Sequence, residues 1–273
     1  MKKKDFCIPV LTYHHVNDSG NFISVKPYIF ESHIRHLKEK GYTSLTAHEF
    51  LLICSGAVTA PEKPVMITFD DGWLDNWVFA YPILKKYEQK AVIFVVTSLV
   101  AEEGRRVRTD EGLVRPLPSH KECQKIIETG QSADIMFSWE EAREMEKSGL
   151  IDIQSHTNTH RRWDRLYPDR NERISLLHHE LVTSKKIVEE KLNKECNALC
   201  WPWGRYDQDY IETALSSGYN ALFTTKKGTN TRDTDLKGIR RLGIGNISTF
   251  TLRKKLFIHS RSWLSSAYLK YFD

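Results

Sequence analysis

The stretch "PVMITFDDGWLDNW" (residues 64–77) decides the fold. Its first six residues are apolar or β-branched throughout and do not alternate with polar ones, the pattern of a strand covered on both faces. The run stops at Asp70 and Asp71, and Gly72 permits a sharp turn into a helical pattern over 73–89. Runs of the same character recur as "FCIPVLTYHH", "KAVIFVVTS", "LIDIQSHT", "NALCWPWG", "YNALFTT" and "GIRRLGI". Helical patterns lie between them at 28–40, 47–54, 139–147, 172–191 and 207–217, several ending at a glycine. This alternation predicts a parallel α/β architecture, either a barrel or an open doubly wound sheet. Two features select the barrel. No Gly-rich phosphate loop follows any strand, and the chemically loaded residues fall at strand ends: His14 and His15, Asp70 and Asp71, His156, and the "WPWGRYD" turn.

A chain of 273 residues, 40% hydrophobic, can fill one barrel as a single domain over 1–273. The segment 101–137 breaks the alternation. It is charged, carries Gly and Pro, shows a short helical stretch at 121–128, and reads as a rim insertion. Arg105, Arg106, Arg108 and Arg115 are its candidate contacts for an anionic substrate, with solvated surface charge as the alternative. A net charge of +5, scattered along the chain, gives no concentrated basic face and argues against a nucleic-acid partner. The start, "MKKKDFCIPVLTYHH", has a positive head but a broken apolar run, and no stretch reaches the roughly 18 apolar residues of a membrane span. Five cysteines at irregular spacing do not form a disulfide framework, and "CNALC" lacks two further soft ligands for zinc. The expectation is a cytoplasmic protein. The C-terminal segment 250–273 mixes basic and aromatic residues, which suits either peripheral contact with the inner membrane or a last helix packed on the barrel.

Asp-Asp-Gly alone is a common turn. The second signal is "LIDIQSHTNTH" (150–160), which ends another strand with His156 and His160 four residues apart, a spacing typical of metal ligands. Two imidazoles and one carboxylate make a set with open positions, suited to hydrolytic or redox chemistry. The opening pair, His14 and His15, cannot share a metal, because neighbours on a strand face opposite sides.

With these residues in view, the sequence resembles the metal-dependent polysaccharide deacetylases of the fourth carbohydrate esterase family. "TFDDG" is similar to their first motif and "SHTNTH" to their second, and the likeness runs from about residue 9 to 245. It implies a distorted (β/α)7 barrel in which Asp71, His156 and His160 bind a divalent metal, expected to be zinc, and Asp70 is the general base toward a metal-activated water. The family's third motif, Arg-x-Pro-Tyr-Gly, is represented by Cys200, Trp201, Pro202, Trp203 and Gly204. Pro202 keeps the turn and the Trp203 N–H takes the oxyanion role. Cys200 cannot supply the arginine that orients Asp70, and Arg205, or the pair Arg240 and Arg241, stands as its replacement. "TYHHV" resembles the opening of the permuted poly-N-acetylglucosamine deacetylases, which makes His14 the general acid, while His259 in "LFIHS" lies in a poor context. The implied substrate is the N-acetyl group of an amino sugar in a cell-envelope glycan or a lipid-linked, lipopolysaccharide-type precursor. Trp73, Trp77, Trp163, Trp201 and Trp203 are candidates for stacking on sugar rings. The rivals are a metal hydrolase of O-acetyl esters or other amides, and a glycan-binding barrel without catalysis.

Overall fold

The computed structural model describes residues 6–113 and 116–272, so the basic head Met1–Lys4 and Arg115 lie outside the described residues. Among those described, the apolar runs form seven parallel strands of one sheet: β1 (Val10–Tyr13), β2 (Pro64–Asp71), β3 (Ala91–Val95), β4 (Ile151–Ser155), β5 (Ala198–Cys200), β6 (Ala221–Phe223) and β7 (Leu242–Gly243). Their spatial order is β7-β1-β2-β3-β4-β5-β6, with Thr43–Ser44 pairing beside the start of β2. The first and last strands are therefore neighbours, Leu11 opposite Leu242 and Thr12 opposite Gly243. A single bridge, Phe223 to Ile239, joins β6 to the chain entering β7. The sheet curls into a distorted (β/α)7 barrel, a single domain.

Strand alternation sorts the side chains into two cores. Val10, Met66, Val92, Phe94, Ala198, Cys200, Phe223 and Ile239 fill the barrel, and Phe50 and Ile53 close it at the end where Thr43–Ser44 meets β2. Leu11, Tyr13, Ile67, Phe69, Ile93 and Ile153 face outward into the layer shared with the helices. The fully buried interior leaves the C-terminal rim as the place where polar side chains meet a cavity.

The helices are α1 (Pro27–Glu39), α2 (Ala47–Ser55), α3 (Tyr81–Lys86), α4 (His120–Glu128), α5 (Trp139–Lys147), the one-turn α6 (Trp163–Leu166), α7 (Arg170–Leu192), α8 (Gln208–Ser216), α9 (Thr249–His259) and α10 (Ser262–Phe272). Helix α5 falls on its predicted residues, opened by a capping box in which Ser138 and Glu141 exchange hydrogen bonds. The helix expected over 73–89 runs over 74–86, with a π-turn at Asn76–Ala80 ahead of α3. Trp73 is held in a bridge to Met136, and the free first-turn N–H of Leu74 is satisfied by the Ile135 carbonyl at 2.8 Å. The left-handed Glu88, φ 51°, stops the helix short of Gln89.

The 101–137 segment folds back on α5, where its described arginines are paired. Arg105 pairs with Glu111 and Glu144, and Arg106 pairs at 2.6 Å with Glu141, a fully buried carboxylate. Arg108 is buried against Asp110 and Glu144, its guanidinium 4.5 Å from the centre of the Trp77 ring. The anionic-substrate role expected of these three arginines is therefore corrected: each is engaged in fastening the insertion.

Candidate active site

The rim encloses a cavity of about 700 Å³ whose walls include His14, Asp70, Asp71, Trp73, His156, His160, Trp203 and Arg241. Asp70 reaches it because it shares the interior face of β2 with Met66 and Thr68. Alternation alone would turn Asp71 outward. Its backbone instead adopts φ 79°, the left-handed region, and Gly72 follows at φ 91°. A Cβ at Gly72 would come within 3.1 Å of Val95 Cγ1, so the turn demands glycine there. Left-handed backbone at a non-glycine costs about 1–3 kcal/mol, and it recurs at His160, φ 57°. Two of the three candidate ligands thus sit in strained conformations that bring them to one point.

At that point, His156 Nε2 and His160 Nε2 lie 3.4 and 3.6 Å from Asp71 Oδ1. His156 Nδ1 donates to the Cys200 carbonyl at 2.7 Å, which turns Nε2 toward Asp71. Burial pulls the His160 imidazole down to about 4, so it is neutral at pH 7. Trp73 Nε1 donates to Asp71 Oδ2 at 2.8 Å, directing the other carboxylate oxygen at the imidazoles. Ligand atoms of three side chains converge there, and a cation is the group that fits. A second convergence, Asp70 with His156 and Cys200, is a poorer fit. There Asp70 is already paired with a guanidinium, and burial keeps the Cys200 thiol protonated.

That guanidinium is Arg241. It makes a bidentate pair with Asp70 at 2.7 and 2.8 Å, and its Nε donates to the Thr224 carbonyl at 2.9 Å. Burial alone would raise the Asp70 pKa, but the Arg241 charge prevails and holds this carboxyl well below the usual range. The Cys200 Sγ stands 3.7 Å from both Asp70 oxygens. His14, one residue past β1, reaches into the cavity with Nε2 3.8 Å from Asp70 Oδ2, beyond hydrogen-bond distance. His15 points the other way and bonds Asp75 through Nδ1 at 2.6 Å.

The turn after β5 is left-handed at Trp203, φ 59°, and a Cβ on Gly204 would meet Thr225 Oγ1 at 2.1 Å. Trp203 stands exposed at the cavity mouth, its Nε1 donating to the His160 carbonyl at 3.3 Å. Pro202 is buried under the turn, away from the cavity. Arg205 needs correcting. It is exposed and borders a separate small hollow with Arg162 and Asp164, because the left-handed turn carries the chain past the rim before residue 205. Trp77 and Trp163 are likewise buried elsewhere, whereas Trp73, Trp201 and Trp203 line the cavity. Arg241 had a readable signal: it lies two residues after the inward-facing Ile239 in the segment that enters β7. His120 and Gln124 of α4, which also line the cavity, had none beyond their place in a rim insertion.

A family model described as polysaccharide deacetylase matches residues 57–222. The Bacillus subtilis (strain 168) protein YxkH, whose name assigns it to the polysaccharide deacetylases, is 30% identical over 237 residues, 87% of this chain and 71% of its own. The poly-beta-1,6-N-acetyl-D-glucosamine N-deacetylase of Staphylococcus aureus (strain MRSA252) is 27% identical over 251 residues, covering 83% of this chain and 75% of that protein. Among solved structures, the Streptococcus pyogenes deacetylase PplD in complex with acetate superposes with a TM-score of 0.70 at 25% identity, over 93% of this chain and 99% of that one. The matched span includes "TFDDG" and "SHTNTH", so the likeness extends from the barrel to its loaded strand ends: the chain belongs to the polysaccharide deacetylase family, hydrolases of the amide bond.

Proposed function

We propose that the chain hydrolyses the N-acetyl group of a glucosamine-type residue in a cell-envelope glycan, with Asp70 as base and His14 as acid. The observation that carries this reading is the Asp70–Arg241 pair beside the converging Asp71, His156 and His160. Neither His14 nor Arg241 lies within the residues matched by the family model, yet β1 and β7 bring both to Asp70. The arginine absent from the third motif is thus supplied from another strand, which argues against a barrel that only binds glycans.

A divalent cation, with zinc the first choice for such a ligand set, would acidify a water and polarise the acetamide carbonyl when bound by Asp71, His156 and His160. Asp70 then accepts a proton from the attacking water. Held as a weak base by Arg241, it depends on that acidification. The Trp203 N–H steadies the developing oxyanion, and His14 protonates the departing amine, releasing acetate and the free amino sugar. His14→Ala is expected to lower kcat by about 10²-fold or more with bound metal unchanged. Loss of metal with activity would instead make His14 a ligand.

The assay that tests the substrate class compares acetate release from N-acetylglucosamine oligomers with release from O-acetylated ones. Preference for the ester would sink the amide reading. A lipid-linked or lipopolysaccharide-type precursor is the second reading, favoured by Cys54, Cys123, Cys196 and Cys200 being thiols, which suits a reducing cytoplasm.

We also propose peripheral membrane contact through α9 and α10. Residues 249–272 contain five lysines and arginines and no acid. Phe250, Phe257, Trp263, Tyr271 and Phe272 are exposed among them, with Lys254 and Arg261 over the Phe250 and Phe257 rings. The α9–α10 junction sits beside Lys63 and Pro64, at the pole opposite the cavity. Docked there, the mouth would face away from the bilayer, as suits a polymer arriving from solution. Sedimentation with anionic vesicles should capture the full chain and not Trp263→Ser/Tyr271→Ser/Phe272→Ser. Equal capture would refute the contact.

A further inference from the structure

We infer that His120 and Gln124 on α4 form a sugar-binding subsite beside the deacetylation centre, oriented by a hydrogen-bond chain anchored on buried Asp75. The inference rests on the glycan-deacetylase reading above and names a part of the cavity that this reading does not use.

The chain begins where its polarity is fixed. Asp75 is buried, and its carboxylate accepts from Asn76 Nδ2 at 2.9 Å, from Asn17 Nδ2 at 3.1 Å and from His15 Nδ1 at 2.6 Å. Since the carboxylate accepts, His15 Nδ1 donates to it, and the acceptor role in the next link is assigned to Nε2. That Nε2 lies 3.0 Å from His120 Nδ1, which must therefore donate. His120 Nε2 is left as an acceptor, and the Gln124 amide nitrogen stands 2.9 Å from it. Burial lowers the His120 pKa and keeps the ring neutral. Every member points its donor toward Asp75. His15 is further fixed by stacking on Trp73, ring centres 4.4 Å apart.

The end of the chain is exposed. Gln124 is solvent-accessible and lines the same cavity as Asp70, Asp71 and His160, with Leu99 and Ile127 beside it. With one amide hydrogen committed to His120, its carbonyl oxygen and second N–H are held in a set orientation for a ligand. A fixed donor and acceptor next to an apolar wall is the chemistry that recognises the hydroxyls and acetamido group of a sugar flanking the one being hydrolysed. Fastening α4 does not require this chain, because Cys123, Ile126 and Ile127 already pack it against Trp73, Ile135 and Met136.

The test uses the full-length, metal-loaded protein, N-acetylglucosamine oligomers and the exposed substitution Gln124→Ala, which leaves the core intact. KM for the oligomers is expected to rise about fivefold while kcat changes less than twofold, the mark of binding lost equally in ground and transition states. His120→Phe should raise KM by a similar factor. Nitrogen-15 spectra of the wild-type histidines should show His15 and His120 both neutral with the proton on Nδ1. A Gln124→Ala KM within twofold of wild type, or a proton on Nε2 of either ring, would overturn the inference. Calorimetric binding of the oligomers keeps the two claims apart. If the wild-type protein releases no acetate, the deacetylase reading fails, and the subsite still stands or falls on whether Gln124→Ala weakens oligomer binding about fivefold.

Discussion

Asp70→Asn is expected to lower acetate release by about 10³-fold while leaving the bound metal in place. The amide fills the space of the carboxyl but cannot take a proton from water, and the proposed ligands Asp71, His156 and His160 are untouched. Arg241 then loses the formal charge it faces at 2.7 and 2.8 Å in a fully buried setting. The variant should therefore also unfold more readily, because a buried charge without its counter-charge is costly. Acetate release assayed alongside metal content separates this outcome from a collapsed site. Retained activity in Asp70→Asn would remove the base from the mechanism.

Arg241→Met has the largest expected effect on stability, a loss of about 3–5 kcal/mol. It leaves the Asp70 carboxylate buried and uncompensated. Its effect on pH dependence has a definite sign. In the wild-type protein Arg241 overrides burial and holds Asp70 ionised well below its ordinary pKa. A folded-state pKa held down in this way contributes stability above the unfolded value near 3.9, lost only as pH falls through the lower folded value. Without Arg241, burial dominates and the pKa rises, so the acidic limb of the rate profile should move to higher pH. The Asp70→Asn/Arg241→Met pair should cost less stability than the two single changes added together, because the double variant leaves no lone charge behind. Denaturant unfolding and a pH–rate profile measure both effects.

Much of this site can be read along the chain because its parts sit at strand ends. Continuous apolar runs mark the strands, and the polar residues that close them mark the rim. Alternation along β1 is enough to send His14 inward with Val10 and Thr12 and His15 outward. What the linear pattern does not carry is pairing across the barrel. Arg205 is near the third motif in sequence, but Arg241 is near Asp70 in space, because β7 lies beside β1 and β1 beside β2. The rim arginines escape a linear reading for a related reason. Their partners Glu141 and Glu144 belong to α5, more than thirty residues away, and only the fold shows that the insertion returns to meet them. The helix after Gly72 starts one residue late because Trp73 bridges to Met136, a contact no local propensity contains.

Asp71, His156 and His160 are proposed to hold one catalytic cation for amide hydrolysis. The most direct test strips the protein with a chelator and follows acetate release from an N-acetylglucosamine oligomer as zinc is added back, for the wild-type chain and for His156→Ala. No release is expected from the stripped protein, with recovery that saturates at one equivalent of zinc and no recovery in His156→Ala. Full turnover by the metal-free protein, or zinc-restored turnover in His156→Ala, would contradict that proposal.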